Sequence, residues 1–387
     1  MAISMHPIVD GKTTANPRLM TMGQVRPFVD DDISQVADLH RRIFGISDKW
    51  SPDLYRNYFH EIFLNNPWYD KSLGSLVYEE GSGKIGGFLG VMPRPMWIKG
   101  RLIRAAVSSQ FIVEPESRFK LAGVQLLKAF LSGPQDLSLA DEANDSSRAL
   151  WERLGGSTAL LYSIHWNCIL RPAQYHRLRL GRRNLARPLT FLLKPFCQVI
   201  DSVVARAPDN TYYRTGARCV DENPSVETLL KCSDVFRHPQ SLRPEYDQCS
   251  FEWLLGKAAE TNGQGNLQKV VVRNAARELI GWFLYYLDRH GMGEVLQIGS
   301  KKTSVHEVLN YLFNHAWRNG AVALRGRLEP GLMPELLAWP GLTHRHRCWT
   351  LVHSQKPELL DAIHRGDAFL TRLEGEWCMR FQKGLGD

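Results

Sequence analysis

Residues 111–131 read FIVEPESRFKLAGVQLLKAFL and place two bases, Arg118 and Lys120, in a polar loop. Before the loop lies a short apolar run, Phe111-Ile112-Val113. After it, from Val124 to Leu131, apolar residues recur at helical spacing. A strand, a basic loop and the start of a helix can together hold an anion. The first amides of a helix have no intrahelical acceptor, and the aligned peptide dipoles leave a partial positive charge there. The chemistry on offer is the binding of a phosphate or diphosphate, with Arg118 or Lys120 adding an ion pair. Such loops are usually rich in glycine, yet Leu121 stands in the middle of this one. If the backbone needs a positive φ there, leucine costs about 1–2 kcal/mol. A few charge-assisted hydrogen bonds, about 1.5–3 kcal/mol each, exceed that. The competing reading is a surface loop with two solvated bases.

Other chemistry is harder to find. The seven cysteines, at 168, 197, 219, 232, 249, 348 and 378, are scattered without a CxxC pair. The thirteen histidines form no HxxxH or HExxH pattern. Reduced, mostly buried thiols and no metal are expected. No run of 18 apolar residues exists, so no membrane-spanning helix is predicted. Residues 1–23 lack the apolar core of a signal peptide and are expected to form a disordered tail of a cytoplasmic protein. The net charge of +8 is concentrated in one place. Between Glu152 and Asp201 there is no acidic residue and there are eight bases: Arg153, Arg171, Arg177, Arg179, Arg182, Arg183, Arg187 and Lys194. The remaining 40 of the 48 basic residues balance the 40 acidic ones.

At 387 residues, two domains are the natural division. Helical periodicity runs over 32–44, and a second helix starts at Ser51-Pro52, an N-cap followed by proline at the first helical position. A hairpin around Gly81-Ser82-Gly83, a strand over 103–113 and the basic loop with its helix come next. LSLADE (137–142) is a buried strand, SSRALWERLGG (146–156) a short helix, and TALLYSIHW (158–166) the strand expected to close this sheet. The second half repeats the order, ending on RCWTLVHS (347–354) as its own closing strand. Ile85-Gly86-Gly87-Phe88 matches Leu279-Ile280-Gly281-Trp282, and Leu150-Trp151 matches Ala338-Trp339. Both offsets are about 190 residues, half the chain, which points to a tandem duplication.

With those residues in place, the first half resembles a GCN5-related N-acetyltransferase over about 24–166, and 217–387 resembles one in element order. The resemblance implies an α/β fold, layered in the α+β manner. It has two such domains, each a mixed, mainly antiparallel sheet flanked by helices. Arg118-Phe119-Lys120-Leu121-Ala122-Gly123 supplies the first and last members of the family's Arg/Gln-x-x-Gly-x-Gly/Ala loop, and Val113 and Pro115 precede it as a valine and proline usually do. What the resemblance implies is acyl-CoA, acetyl-CoA in kind, with its diphosphate held by Arg118, Phe119, Lys120, Leu121, Ala122, Gly123 and Val124. Its pantetheine arm would lie beside Ile112 and Val113, in a slot between splayed strands, with an oxyanion amide near Val113. Asn144 fills the family's asparagine position; Arg148 and Trp151 line the same helix. Trp151 replaces the tyrosine that often protonates the leaving thiolate. Glu114 is the first candidate for general base, followed by Asp141 and Glu142, and Tyr162 is the replacement acid. Against these stand plainer roles: Glu114 in a strand-end turn, and Asp141 or Glu142 paired with Arg148 or Arg153. The second copy's loop, Ile298 to Ser304, lacks the pattern, so that half is expected to be scaffold or acceptor surface.

Residues 167–216 form a basic, partly amphipathic connector. A clamp packed on both halves, a seat on an anionic membrane surface, and contacts with nucleic acid or an acidic protein are all compatible with it, nucleic acid being the weakest. The function expected from the whole is an acyl-CoA-dependent transferase acting on an amine acceptor whose identity the sequence does not name. The alternative is a non-catalytic protein of the same fold that binds CoA or a partner.

Overall fold

A computed structural model describes residues 23–45, 51–118, 121–181, 193–205, 220–235, 241–260 and 265–381. The expected tail over 1–23 lies almost wholly outside them. The first half runs β1 (Gln24–Pro27), α1 (Ile33–Phe44), α2 (Pro52–Phe63), β2 (Leu76–Glu79), β3 (Ile85–Ile98), β4 (Arg101–Val113), α3 (Pro115–Arg118), α4 (Ala122–Leu131), β5 (Leu137–Ala143), α5 (Asp145–Arg153), β6 (Ser157–Thr158) and β7 (Ile164–Ile169). Among the described residues two connector helices follow, α6 (Pro172–Gly181) and α7 (Lys194–Ala205). The second half runs β8 (Val220–Glu222), α8 (Val226–Val235), β9 (Arg243–Pro244), α9 (Gln248–Ala259), β10 (Asn266–Arg273), β11 (Leu279–Leu287), β12 (Met292–Ser300), α10 (Val305–Arg318), β13 (Ala323–Arg327), α11 (Met333–Ala338), β14 (Leu342–His346), β15 (Trp349–His353), α12 (Pro357–His364) and α13 (Glu376–Met379).

Local chemistry explains the boundaries. Ser51 caps α2 by accepting from the Leu54 amide at 3.3 Å, with Pro52 opening the helix. α1 stops at Gly45, whose φ of 60° is left-handed. β3 and β4 meet at Lys99-Gly100, both at positive φ, the backbone a two-residue hairpin needs.

Each half builds a mixed sheet flanked by helices, as the order of elements predicts, but the closing strands are exchanged. The first sheet runs β1-β2-β3-β4-β5-β15-β6, with β9 on β3; the second runs β14-β7-β13-β12-β11-β10-β8. Thus β7, expected to close the first sheet, pairs with β13 and β14. In return, β15 lies between β5 and β6. Side chains explain the exchange. Trp166 of β7 packs into the second half's core against Phe313 and closes over Gly326, where a Cβ would meet its ring at 2.4 Å. Leu351 of β15 is fully buried in a core built mainly by the first half, and Val352 in the core that the halves share. A cut at residue 166 therefore divides the chain but not the sheets.

Three apolar clusters result. One lies under α4 and α5 on the outer face of the first sheet, and one under α10 and α11 on the outer face of the second. The third is common to both halves, joining Phe59 and Phe88 to Leu254, Tyr286 and Trp377.

Within each sheet one strand pair is parallel and short. β4 and β5 pair only at Ala105–Leu137, Ala106–Ser138 and Val107–Leu139. β12 and β13 pair only at Met292–Ala323, Gly293–Leu324 and Glu294–Arg325. Beyond these residues the strands part and leave a wedge. Each wedge carries a bulge: in β4 around Gln110, whose φ is 51°, and in β12 opposite Leu284/Tyr285. The C-terminal segment crosses both wedges. Arg372 donates its amide to the Leu296 carbonyl at 3.0 Å in the second, and Glu376 enters the first.

Candidate functional site

The basic loop folds as its glycine-like position demands. Leu121 sits at φ 57°, ψ 26°, the left-handed region. Its side chain is 59% exposed, so its bulk points to solvent. α4 starts at Ala122 without a side-chain cap. The Leu121 amide is spent on the Arg118 carbonyl at 3.0 Å. The amides of Ala122, Gly123 and Val124, at the start of a helix, donate to no carbonyl among the described residues. Arg118 is exposed at the edge of this cradle. Phe119 and Lys120 lie outside the described residues. The loop is pinned from behind by Ser117, which is fully buried and bonded to Glu80 at 2.6 Å. A Cβ at Gly86 would meet the Ser117 hydroxyl at 2.3 Å, so only glycine lets β3 pass.

Beside the cradle is the first wedge. Ile112 is buried and Val113 partly so, on the strand edge where β4 has left β5. The bulge turns the Gln110 amide inward, and it donates to Glu376 Oε1 at 2.9 Å. The Gln110 side chain accepts from His40 Nε2 at 2.7 Å, which fixes the bulge from the α1 side. Burial pulls that imidazole down to about 4, so it is neutral at physiological pH.

Glu376 is the functional candidate that sequence reading missed. Burial pushes its carboxyl up to about 8, with Asp141 and Glu142 adding repulsion. Its amide donates to Asp141 Oδ1 at 2.8 Å. Asp141 is itself raised by burial, against the pull of Arg327 at 3.5 Å. A Cβ on Gly375 would lie 1.8 Å from Asp141 Oδ2, so glycine is required for the segment to pass that carboxylate. The available signal was the run Glu374-Gly375-Glu376-Trp377, two carboxylates amid apolar residues near the end of the chain.

The expected catalytic residues fall in different places. Asp141 borders the wedge. Glu142 faces Arg372 at 3.7 Å and Arg380 at 4.0 Å, and not Arg148 or Arg153. Glu114 is held between Arg42 at 3.1 Å and Lys84 at 2.5 Å, while its carbonyl accepts the Ser117 and Arg118 amides. That commits it to the strand-end turn. The Tyr162 hydroxyl donates to the Ala368 carbonyl at 2.7 Å and accepts the Ala368 amide at 3.2 Å. Burial raises its pKa as well, so it is poorly suited to proton delivery. Asn144 caps α5 by accepting from the Ser147 amide at 2.9 Å. Arg148 stacks on Trp349 at 3.9 Å and pairs with Glu152 at 2.9 Å. Trp151 is buried edge-on to Phe130, so the family's tyrosine position is here part of the core under α4 and α5.

Glu142, His165 and Cys348 bring ligand-type atoms within 4.8 Å of one another. Burial, with Arg372, Arg327 and Arg347, holds His165 down to about 2, and burial pushes the Cys348 thiol up to about 12. Three guanidinium groups around the cluster oppose a divalent cation. Among the described residues the cysteines form no disulfide.

Two cavities flank the C-terminal segment. A small one of about 40 Å³ lies between the halves, bordered by Arg94, Asp141, Arg327, Thr371 and Glu374. A larger opening of about 360 Å³ lies between α2, α9 and residues 378–381, with Tyr58, Glu61, Lys257 and Arg380 on its wall.

The second wedge is built from the same plan and is closed. Buried Gln297 accepts from Trp282 Nε1 at 2.9 Å and donates to Glu374 at 3.1 Å; Tyr246 also bonds Glu374. Trp282 lies across Gly299, where a Cβ would meet its ring at 2.1 Å. The loop before α10 forms a three-ten turn in which the Lys301 and Ser304 amides are both spent.

No protein-family profile and no curated protein matches the chain. Solved structures do. A conserved protein of unknown function from Enterococcus faecalis V583, described as a probable N-acyltransferase, matches with a TM-score of 0.56 at 10% identity, over 88% of this chain and 74% of its own. A GCN5-related N-acetyltransferase from Anabaena variabilis ATCC 29413 gives 0.54 at 12% identity, over 87% and 73%. One from Kribbella flavida gives 0.52 at 12% identity, over 86% and 71%. Identities this low establish likeness of fold.

Proposed function

We propose that this chain, whose fold is that of the GCN5-related N-acetyltransferases, is an acyl-CoA-dependent N-acyltransferase working in its first wedge. The observation that carries the reading is the pairing of two sets of donors. The amides of Ala122, Gly123 and Val124 have no acceptor among the described residues, and the Gln110 amide is turned into the wedge. The first set suits a diphosphate and the second a thioester oxygen. Acetyl is the acyl group proposed, by analogy with the fold's namesakes.

The reaction requires an amine to attack the thioester carbonyl, the carbonyl oxygen to take negative charge, and the thiolate to leave with a proton. The Gln110 amide now holds a carboxyl oxygen of Glu376, seated where the developing oxyanion would lie. When the thioester oxygen takes that amide, the ionised Glu376 carboxylate remains in the wedge, accepts the ammonium proton and passes it to the departing thiolate. The opening between α2, α9 and residues 378–381 is the proposed entrance for the amine, since it adjoins the short helix that carries Glu376. The second half serves as scaffold and acceptor wall.

A second reading has its own support. Glu376 on the Gln110 amide and the core position of Trp151 both suit a CoA-binding protein without turnover. Calorimetric titration with acetyl-CoA, followed by thiol release with a panel of amines, separates the two. Binding with release supports the enzyme, and binding without release the second reading. Absence of binding to the full chain would remove both.

A further inference from the structure

The connector carries a surface that the transferase reading leaves unused. α7 shows Phe196, Val199, Ile200 and Val203 at 67%, 64%, 53% and 62% exposure. Their spacing of three and four residues puts them on one face. On another face Asp201 is buried and accepts the Ala173 and Gln174 amides at 2.9 and 3.0 Å. α7 is thus fastened to the start of α6 through a carboxylate and presents its apolar residues to water, the reverse of an ordinary surface helix. A stripe of this kind marks an interaction site.

Charge selects the partner. No acidic residue occurs between Glu152 and Asp201, and Asp201 spends its charge on the first turn of α6. Among the described residues the segment contributes Arg177, Arg179 and Lys194. Two copies meeting through this face would bring like charges together. An apolar stripe beside clustered bases fits a surface of anionic headgroups, with the stripe in the headgroup–acyl boundary. No helix among the described residues is long and apolar enough to cross a membrane, so α7 would lie in the plane of the surface. We propose that the paired helices α6 and α7 dock the protein on an anionic lipid surface.

Flotation of the full chain tests this, using phosphatidylcholine vesicles with and without about 30% phosphatidylglycerol, at about 0.1 M and 0.5 M salt. Binding is expected only to the anionic vesicles at low salt. It should fall at least about tenfold in Phe196→Asp/Ile200→Asp and in Arg179→Glu, with melting temperatures unchanged because those side chains are exposed. Absence of binding, equal binding to neutral vesicles, or binding indifferent to these substitutions would overturn the proposal. So would a concentration-dependent dimer in sedimentation velocity that Phe196→Asp/Ile200→Asp dissolves, since a second copy would then own the stripe.

Discussion

The two wedges come from one plan and differ in what fills them. In the first, the helix-start amides of Ala122, Gly123 and Val124 meet no carbonyl among the described residues, Leu121 is left-handed, and one carboxyl from the far end of the chain sits on the bulge amide. In the second, Gln297, Trp282, Tyr246 and Glu374 bond one another across the gap, and the Lys301 and Ser304 amides are spent. A splayed sheet alone is therefore not a site. What distinguishes a site is donors left over after the fold has satisfied its own carbonyls, together with a group that can leave.

The sharpest way to test that contrast is Glu376→Gln. With the proton acceptor gone, turnover should fall by about 10²–10⁴-fold while acetyl-CoA affinity stays near the parent value. A variant that keeps its turnover, or binds acetyl-CoA much more tightly and turns over faster, would recast Glu376 as a plug. In the second wedge the expected damage is to stability. Arg372→Ala removes the partner of Glu294 at 2.9 Å and the stack on Trp377 at 3.8 Å. It should cost about 3–5 kcal/mol in urea unfolding, because it strands buried carboxylates.

The pH dependence ties the two regions together. Burial pushes Glu376 and Glu329 each up to about 8. The native state therefore holds protons that the unfolded chain, at about 4.3, has released. Stability should decline as pH rises from about 4.5 to 8, and Glu376→Gln/Glu329→Gln should flatten the decline; a parent that stabilises over that range would contradict the assigned burial. Turnover should rise over the upper part of the range, as Glu376 ionises. The smallest effect belongs to Leu121→Gly. Relief of the left-handed strain, about 1–2 kcal/mol, is offset by the glycine's extra freedom, about 0.5–1 kcal/mol, so melting should shift upward only slightly.

Much of the first wedge was legible in sequence because its signals are local. The basic loop, the left-handed demand at Leu121 and the order of elements all lie within a few residues of what they control. The exchange of β7 and β15 was not legible. A strand's alternation shows that it is buried, not which edge it joins, and Trp166 finds its glycine 160 positions away at Gly326. Glu376 was hidden for the same reason, meeting Gln110 across 266 residues. Glu114 looked catalytic from its place at a strand end, but the bases that claim it, Arg42 and Lys84, come from other elements.

The most direct test of the central claim is calorimetric titration of the full chain with acetyl-CoA, repeated on Arg118→Ala and on Lys301→Ala/Lys302→Ala. One binding site is predicted, weakened by the first substitution and indifferent to the second pair. No binding, or binding lost through Lys301 and Lys302, would contradict the assignment of the first wedge.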